Sequence, residues 1–267
     1  MASKKKKYFY TNFCFALCLT VFFISNNSMA EQTVYGAVPG EKLVFNVHWL
    51  GVPGGRAEMV MAKAPVGSYK LEAKVKTIGV VSFFRPLKDK LQSVGDRLED
   101  GGYRTRVFTR FQRRGKKNRK TTVKFDQENG LVTRTSSYEK PQEINLTSDN
   151  VNDSLALFYA IRSLPELKPN TTLQWYSVGR KQYDVRIEIG EAKQQSLPLG
   201  MQHVIPIKLI VPTGVGLVRQ EEALTIWLST DKRRMPFRVE TRLSLGNVAA
   251  DLVEYNDGRG GRGELSE

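Results

Sequence analysis

Two histidines, His48 and His203, are the only imidazoles in the chain, and each falls in a separate stretch of alternating apolar and polar residues. An imidazole base needs a nucleophile and an orienting group within hydrogen-bond reach. No His-Glu-x-x-His, no Gly-x-Ser-x-Gly elbow and no glycine-rich phosphate loop ahead of a helix accompanies them. Carboxylate pairs such as Asp96 with Glu99, or Glu221 with Glu222, have the residue types of a glycosidase. A chain with 27 acidic residues offers such pairs by chance. The sequence therefore assigns no catalytic residue, no cofactor and no metal. An envelope hydrolase, the remotest of the functions considered, would need a polar cavity converging on His48 or His203.

Charge gives a stronger pattern. Between residues 104 and 124 stand Arg104, Arg106, Arg110, Arg113, Arg114, Lys116, Lys117, Arg119, Lys120 and Lys124, with no acid among them. A strand pair studded with cations resists edge-to-edge aggregation, which is one role for the run. The other is contact with phosphate-bearing headgroups, each cation contributing about 1 kcal/mol near an anionic surface before screening. Upstream, residues 78–84 (Ile-Gly-Val-Val-Ser-Phe-Phe) break the local alternation with Ile78, Val80, Val81, Phe83 and Phe84. They form either a buried plug at the end of a barrel, the more common outcome, or an exposed apolar lip that meets lipid or a partner.

The compartment follows from the first thirty residues. Lys4 to Lys7 make a basic n-region, residues 13–24 an apolar h-region, and Ser28-Met29-Ala30 a small-residue cleavage site. That is the pattern of a cleaved secretory signal peptide. A retained N-terminal anchor is the rival, but the apolar run is shorter than the roughly twenty residues of a spanning helix. Cys14 and Cys18 both lie in this segment, and bulky Leu17 beside Cys18 argues against lipidation. The mature chain then holds no disulfide and no thiolate site. It keeps 37 basic and 27 acidic residues, a net +10. Outside the cytoplasm such a charge finds no nucleic acid. Anionic lipid, lipopolysaccharide or an acidic envelope protein remain as partners, with plain solubility as the simpler explanation.

The elements that must position these residues are strands. Residues 69–77 alternate Leu71, Ala73, Val75 and Thr77 against Lys70, Glu72, Lys74 and Lys76, the signature of a half-buried strand. Further strands are expected at residues 43–49, 56–61, 90–97, 103–113, 118–125, 131–138, 172–178, 183–189 and 203–211, where Pro206 marks an edge or bulge. Residues 224–255 carry three more, divided by turns at residues 229–234 and at Gly246-Asn247. Trp49, Trp175 and Trp227 fall in strands and read as core anchors. Asn152-Asp153-Ser154 supplies helix-capping side chains ahead of residues 155–164, where Leu155, Phe158, Tyr159 and Arg162 share one face and Pro165 stops the run. This is the one convincing helix of the mature protein. With no linker or composition break, the chain reads as a signal peptide (1–30), one β domain (31–255) of eleven to thirteen strands, and a glycine-rich disordered tail (256–267).

The chain also resembles the bacterial exported domain-of-unknown-function family 3108. The resemblance rests on Pro39-Gly40-Glu41-Lys42-Leu43, the turn from Gly51 to Glu58, the block from Asn152 to Pro165, and Ile226-Trp227-Leu228-Ser229-Thr230-Asp231 with Arg234, Pro236, Arg238, Val239 and Glu240. Gly246-Asn247-Val248-Ala249-Ala250 completes it. The resemblance implies a mainly β fold, a single antiparallel curled or open β-barrel (a spiral β-roll) around a central α-helix, and an envelope location. It carries over no catalytic residues, because the family has no established activity. The basic run exceeds what the family pattern requires. The function expected is a non-enzymatic periplasmic protein binding an envelope amphiphile or anionic surface, peripheral to the membrane. The alternative is a scaffold docking an acidic partner.

Overall fold

A computed structural model describes residues 35–84, 86–212, 222–243 and 246–264. The signal-peptide segment with Cys14 and Cys18, the residues Arg85 and Glu221, and most of the 212–216 loop lie outside the described residues.

The chain is mainly β and builds one 17-stranded sheet. Its first half comprises β1 (Lys42–Trp49), β2 (Val52–Ala62), β3 (Ser68–Thr77), β4 (Leu87–Arg97), β5 (Tyr103–Arg114), β6 (Lys117–Asp126), β7 (Leu131–Ser136) and β8 (Glu139–Asn145). Its second half comprises β9 (Val151–Asn152), β10 (Thr171–Val178), β11 (Gln182–Ile189), β12 (Lys193–Leu197), β13 (Gly200–Val211), β14 (Glu222–Ser229), β15 (Pro236–Leu243), β16 (Gly246–Asn256) and β17 (Arg262–Glu264). Two helices interrupt them, α1 (Gly79–Phe84) and α2 (Ser154–Arg162).

β1 to β8 form an antiparallel meander. β1 also pairs along its length with β16, from Lys42 opposite Asn256 to Trp49 opposite Val248. The sheet continues through β15, β14 and β13 to β11, β10 and a short parallel β9. The 224–255 stretch thus joins the two halves of the chain. The ladder does not close. Side chains instead join β8 and the residues after it to the β10–β11 turn: Gln182 Nε2 donates to Thr147 Oγ1 at 2.8 Å, Thr147 N donates to Gln182 Oε1 at 2.9 Å, and Arg180 bonds Glu139. An open, barrel-like sheet results.

Helix α2 lies against the inside of this sheet. Leu157 and Ile161 pack on Val185, Ile187, Ile207 and Ile226, while Leu155, Ala156 and Tyr159 pack on Met61, Tyr69, Leu71 and Tyr103. Asp153 caps its start, accepting from Leu155 N and Ala156 N. Arg162, in the last turn, is fully buried. Its Nη1 and Nη2 donate to Glu41 at 2.7 and 2.6 Å, and its Nε donates to the Arg234 carbonyl at 2.9 Å. The three sequence blocks around Glu41, Arg162 and Arg234 therefore meet at one buried ion pair that ties the helix to both halves of the sheet. Asp231 braces the same turn, accepting from Ser229 Oγ and Arg233 N.

Four expectations change. Seventeen strands stand among the described residues, because β8, β9, β12 and β17 are short or polar and carry no alternation to read. Two helices stand among the described residues, not one. α1 buries no residue, so residues 78–84 are not a plug; α2 already fills the interior they would enter. Residues 257–264 are ordered rather than a disordered tail. Buried Asp257 accepts from Arg259 N and Gly261 N, Gly258 and Gly260 take positive φ, and β17 folds back on β16. Pro206 behaves as expected of a proline: β12 leaves β13 at Val204 and β11 joins it at Ile207, so Pro206 sits at the changeover.

Candidate functional site

The basic run forms the β5–β6 hairpin, with Gly115 and Lys116 at its turn. Strand alternation splits its cations between two faces. Phe108, Arg110, Gln112 and Arg114 share one face, opposite Val123, Thr121, Arg119 and Lys117 of β6. Arg113, Lys120 and Lys124 take the other face, with Phe111 between them. Arg106 is the unpaired residue of a bulge where the β4–β5 register shifts, Arg104 lies just beyond it, and Arg106 pairs with Asp96 at 3.4 Å. The ten cations are therefore not one surface.

The inner set lines a cavity of about 920 Å³. Its apolar floor comes from Leu91, Phe108, Val123, Val178 and Tyr183, and Ser154 at the start of α2 closes one end. Val123 and Val178 belong to a buried cluster with Phe125, Val132 and Val151 beneath. Over that floor stand Arg110, Arg114, Arg119, Arg134, Arg180 and Lys181. Arg134 is almost wholly buried, whereas Arg180 is 69% exposed at the mouth.

Two carboxylates organise these cations. Glu139 bonds Arg134 and Arg180, with Arg119 at 3.8 Å. The Arg134 guanidinium bonded to it holds its carboxyl below the usual range, and Arg180 and Arg119 add to the effect. Asp89 receives Arg110 and, at 3.2 Å, Gln112 Nε2. Six cations against two carboxylates leave an excess of four positive charges around an apolar floor. No ion-pair partner is seen for Arg114 or Lys181 among the described residues. Arginines fixed by a shared carboxylate are pre-aimed, so an incoming anion need order few side chains. The arrangement can hold an anionic head with an apolar body below it.

The sequence reading found Arg110, Arg114 and Arg119, but it missed Arg134, Arg180, Lys181 and the floor. Alternation within the hairpin could have shown that Phe108 points with Arg110 and Arg114. Nothing local connects the 179–181 turn to them. Of the apolar set, Val80, Phe83 and Phe84 are exposed, while Ile78 and Val81 are half-buried.

The histidines are apart from the cavity and from each other. His48 Nδ1 lies 3.5 Å from Asp251, which also binds Arg238, and His203 lies on β13 opposite Gln194. Asp96 and Glu99 line no cavity wall with either. Among the described residues no three His, Cys, Asp or Glu side chains converge as metal ligands. A second, smaller hollow of about 250 Å³ lies beside Tyr103, Asn152 and Trp175 and contains neither histidine.

The family model described as "Protein of unknown function (DUF3108)" matches residues 44–253. The chain belongs to that family. No curated protein matches it. Among solved structures it is similar to a β-barrel-like protein of domain of unknown function 1849 from Brucella abortus, with a TM-score of 0.56 and 11% identity over 83% of this chain and 98% of that one. That likeness shows a shared fold. Weaker matches, each with a TM-score of 0.36, are a hypothetical protein from Chlamydia trachomatis and a Bacteroides fragilis protein with a YmcC-like fold, whose name describes it as exported. The identities are 9% and 10%, covering 86% and 82% of this chain and 94% and 97% of those. Among the described residues no helix is long and apolar enough to cross a membrane.

Proposed function

We propose that this family member is a non-enzymatic protein of the periplasmic cell envelope that takes an anionic amphiphile into the arginine-lined cavity. The observation that carries this reading is the pairing of four excess positive charges with an apolar floor in one hollow. Its volume of about 920 Å³ is at the upper end of ordinary ligand pockets. A phosphate or carboxylate head would meet Arg114, Arg119, Arg134, Arg180 and Lys181. The first part of an acyl chain would lie over Leu91, Phe108, Val123 and Val178. The signal-peptide pattern of residues 1–30 and the net positive charge support the compartment.

The test is a fluorescence titration of the full mature chain with cis-parinaric acid, an anionic amphiphile, competed with lysophosphatidylglycerol. Saturable binding that the competitor reverses is expected. Charge-assisted contacts contribute about 1.5–3 kcal/mol each, so Arg114→Glu with Arg180→Glu weakens binding at least about tenfold. Unchanged affinity in that variant, or none in the parent chain, overturns the reading. Recovery of one stoichiometric acidic protein and no lipid would favour the scaffold instead.

A further inference from the structure

The connections of an antiparallel sheet alternate between its two ends, so each end collects its own set of turns. One end carries the β1–β2 turn, α1, and the β5–β6, β7–β8 and β10–β11 turns. The other carries the β2–β3, β4–β5, β6–β7, β12–β13, β14–β15 and β16–β17 turns. The two ends differ in composition.

The first end holds most of the large exposed apolar side chains among the described residues: Leu50, Val52, Val80, Phe83, Phe84 and Tyr138. Phe83 and Phe84 are 83% and 71% exposed, with their rings edge to face 5.3 Å apart. α1 is not loose. Ile78 N donates to Gly54 O at 3.0 Å, and Val81 sits against Gly54 with no room for a Cβ between them. Gly115 N, at the hairpin tip, donates to Pro86 O at 3.2 Å, which places the basic turn beside the aromatic pair. Arg113, Arg114, Lys116, Lys117, Arg180 and Lys181 occupy turns of this same end. The turns of the opposite end mix both signs of charge, with Glu99, Asp100, Glu128, Asp231 and Asp257 beside Lys63, Lys232, Arg233 and Arg259. One rim is apolar and basic, whereas the other mixes acidic and basic residues.

We propose that the α1 rim docks on the surface of an anionic phospholipid bilayer, with Phe83 and Phe84 in the headgroup–acyl boundary and the cations around them on lipid phosphates. Aromatic side chains favour that boundary, and basic residues at its level are drawn by the negative surface potential. Exposed apolar tips collared by like charge fit such a surface better than an acidic protein, which would leave the aromatic pair uncovered. The mouth of the cavity, marked by Arg114, Arg180 and Lys181, lies at the same rim, so docking presents it to the lipid. This proposal stands on the rim alone and not on what fills the cavity.

The test uses the full mature chain and co-sedimentation with vesicles of phosphatidylcholine, with and without phosphatidylglycerol. Binding is expected only where phosphatidylglycerol is present, and it falls as salt rises. Phe83→Asp with Phe84→Asp lowers the partition coefficient at least about tenfold. Lys116→Glu with Lys117→Glu lowers it as well and flattens the salt dependence, while Val66→Asp at the opposite rim leaves it unchanged. α1 buries nothing, so these variants keep the fold; an unaltered circular dichroism spectrum and melting curve check this. Wild-type affinity in the Phe83/Phe84 variant, or equal loss in Val66→Asp, overturns the proposal. The cavity is read separately: the Phe83/Phe84 variant should still bind monomeric parinaric acid. A parent chain that sediments with vesicles but takes up no parinaric acid would sink the cavity reading and leave the docking rim standing.

Discussion

At the scale of single residues, the buried polar groups beside α2 are structural, and their chemistry sets two expectations. Asp153 is fully enclosed. Burial pushes its carboxyl up, against the pull of Ser93 Oγ at 2.5 Å, Thr105 Oγ1 at 2.9 Å and two helix N–H groups. The folded protein therefore keeps this proton at pH values where the unfolded chain has lost it. Its contribution is whole below the ordinary carboxylate range, near pH 4, and fades as pH rises through the raised folded value. Asp153→Asn removes that loss while keeping a capping side chain. The melting temperature of the variant relative to the parent should rise from acid to neutral pH; a difference independent of pH refutes the account. Gly95 gives the second expectation. It stands at the β4–β5 bulge, where a Cβ would come within 2.0 Å of the Arg104 carbonyl and 2.8 Å of the Tyr69 ring. Neither the backbone nor a ring held by Ser93 and Thr105 can move aside, so Gly95→Ala costs about 2–3 kcal/mol in urea denaturation.

At the scale of elements, α2 matters more through its last turn than through its apolar face. Arg162 and Glu41 are both fully buried, and the guanidinium is used by a carboxylate and the carbonyls of Arg233 and Arg234. Arg162→Met strands a buried carboxylate and should cost about 3–5 kcal/mol. Arg162→Met with Glu41→Leu removes both charges and should recover most of that loss; a double variant as unstable as the single one contradicts this. The basic hairpin shows the opposite balance. Arg110 and Arg119 are held by Asp89 and Glu139, yet the strand keeps an excess of charge inside the hollow. That excess serves no structural need visible in the contacts, which is why the ligand reading rests there.

At the scale of the whole molecule, an open sheet has two edges with unequal support. β1 and β16 are laddered on both sides, whereas β8 pairs only with β7 among the described residues and is mostly exposed. Amide hydrogen exchange should be slowest in β1 and β16 and fastest in β8, because local opening breaks fewer contacts at an edge. Comparable protection in β8 would mean that a partner or a second copy covers the edge. The apolar and basic character of the α1 rim belongs to this scale as well, since it arises from turns far apart in the chain.

The β class of the protein, most strand positions and the helix with its Asp153 cap were legible in the residues themselves. Each depends on local periodicity or on a side chain bonding its own backbone. The polar strands β8 and β12 were not legible, because they are held by neighbours rather than by an alternating face of their own. Nor was the fate of residues 78–84. Their apolar character favours burial, and only the presence of α2 inside the sheet decides for exposure. The cavity belongs wholly to the tertiary structure. The hairpin could be seen as basic, but which of its cations face inward depends on the bulge at Gly95. That Arg134 and Arg180 join them depends on Glu139 drawing β7 and the β10–β11 turn together across the open side of the sheet.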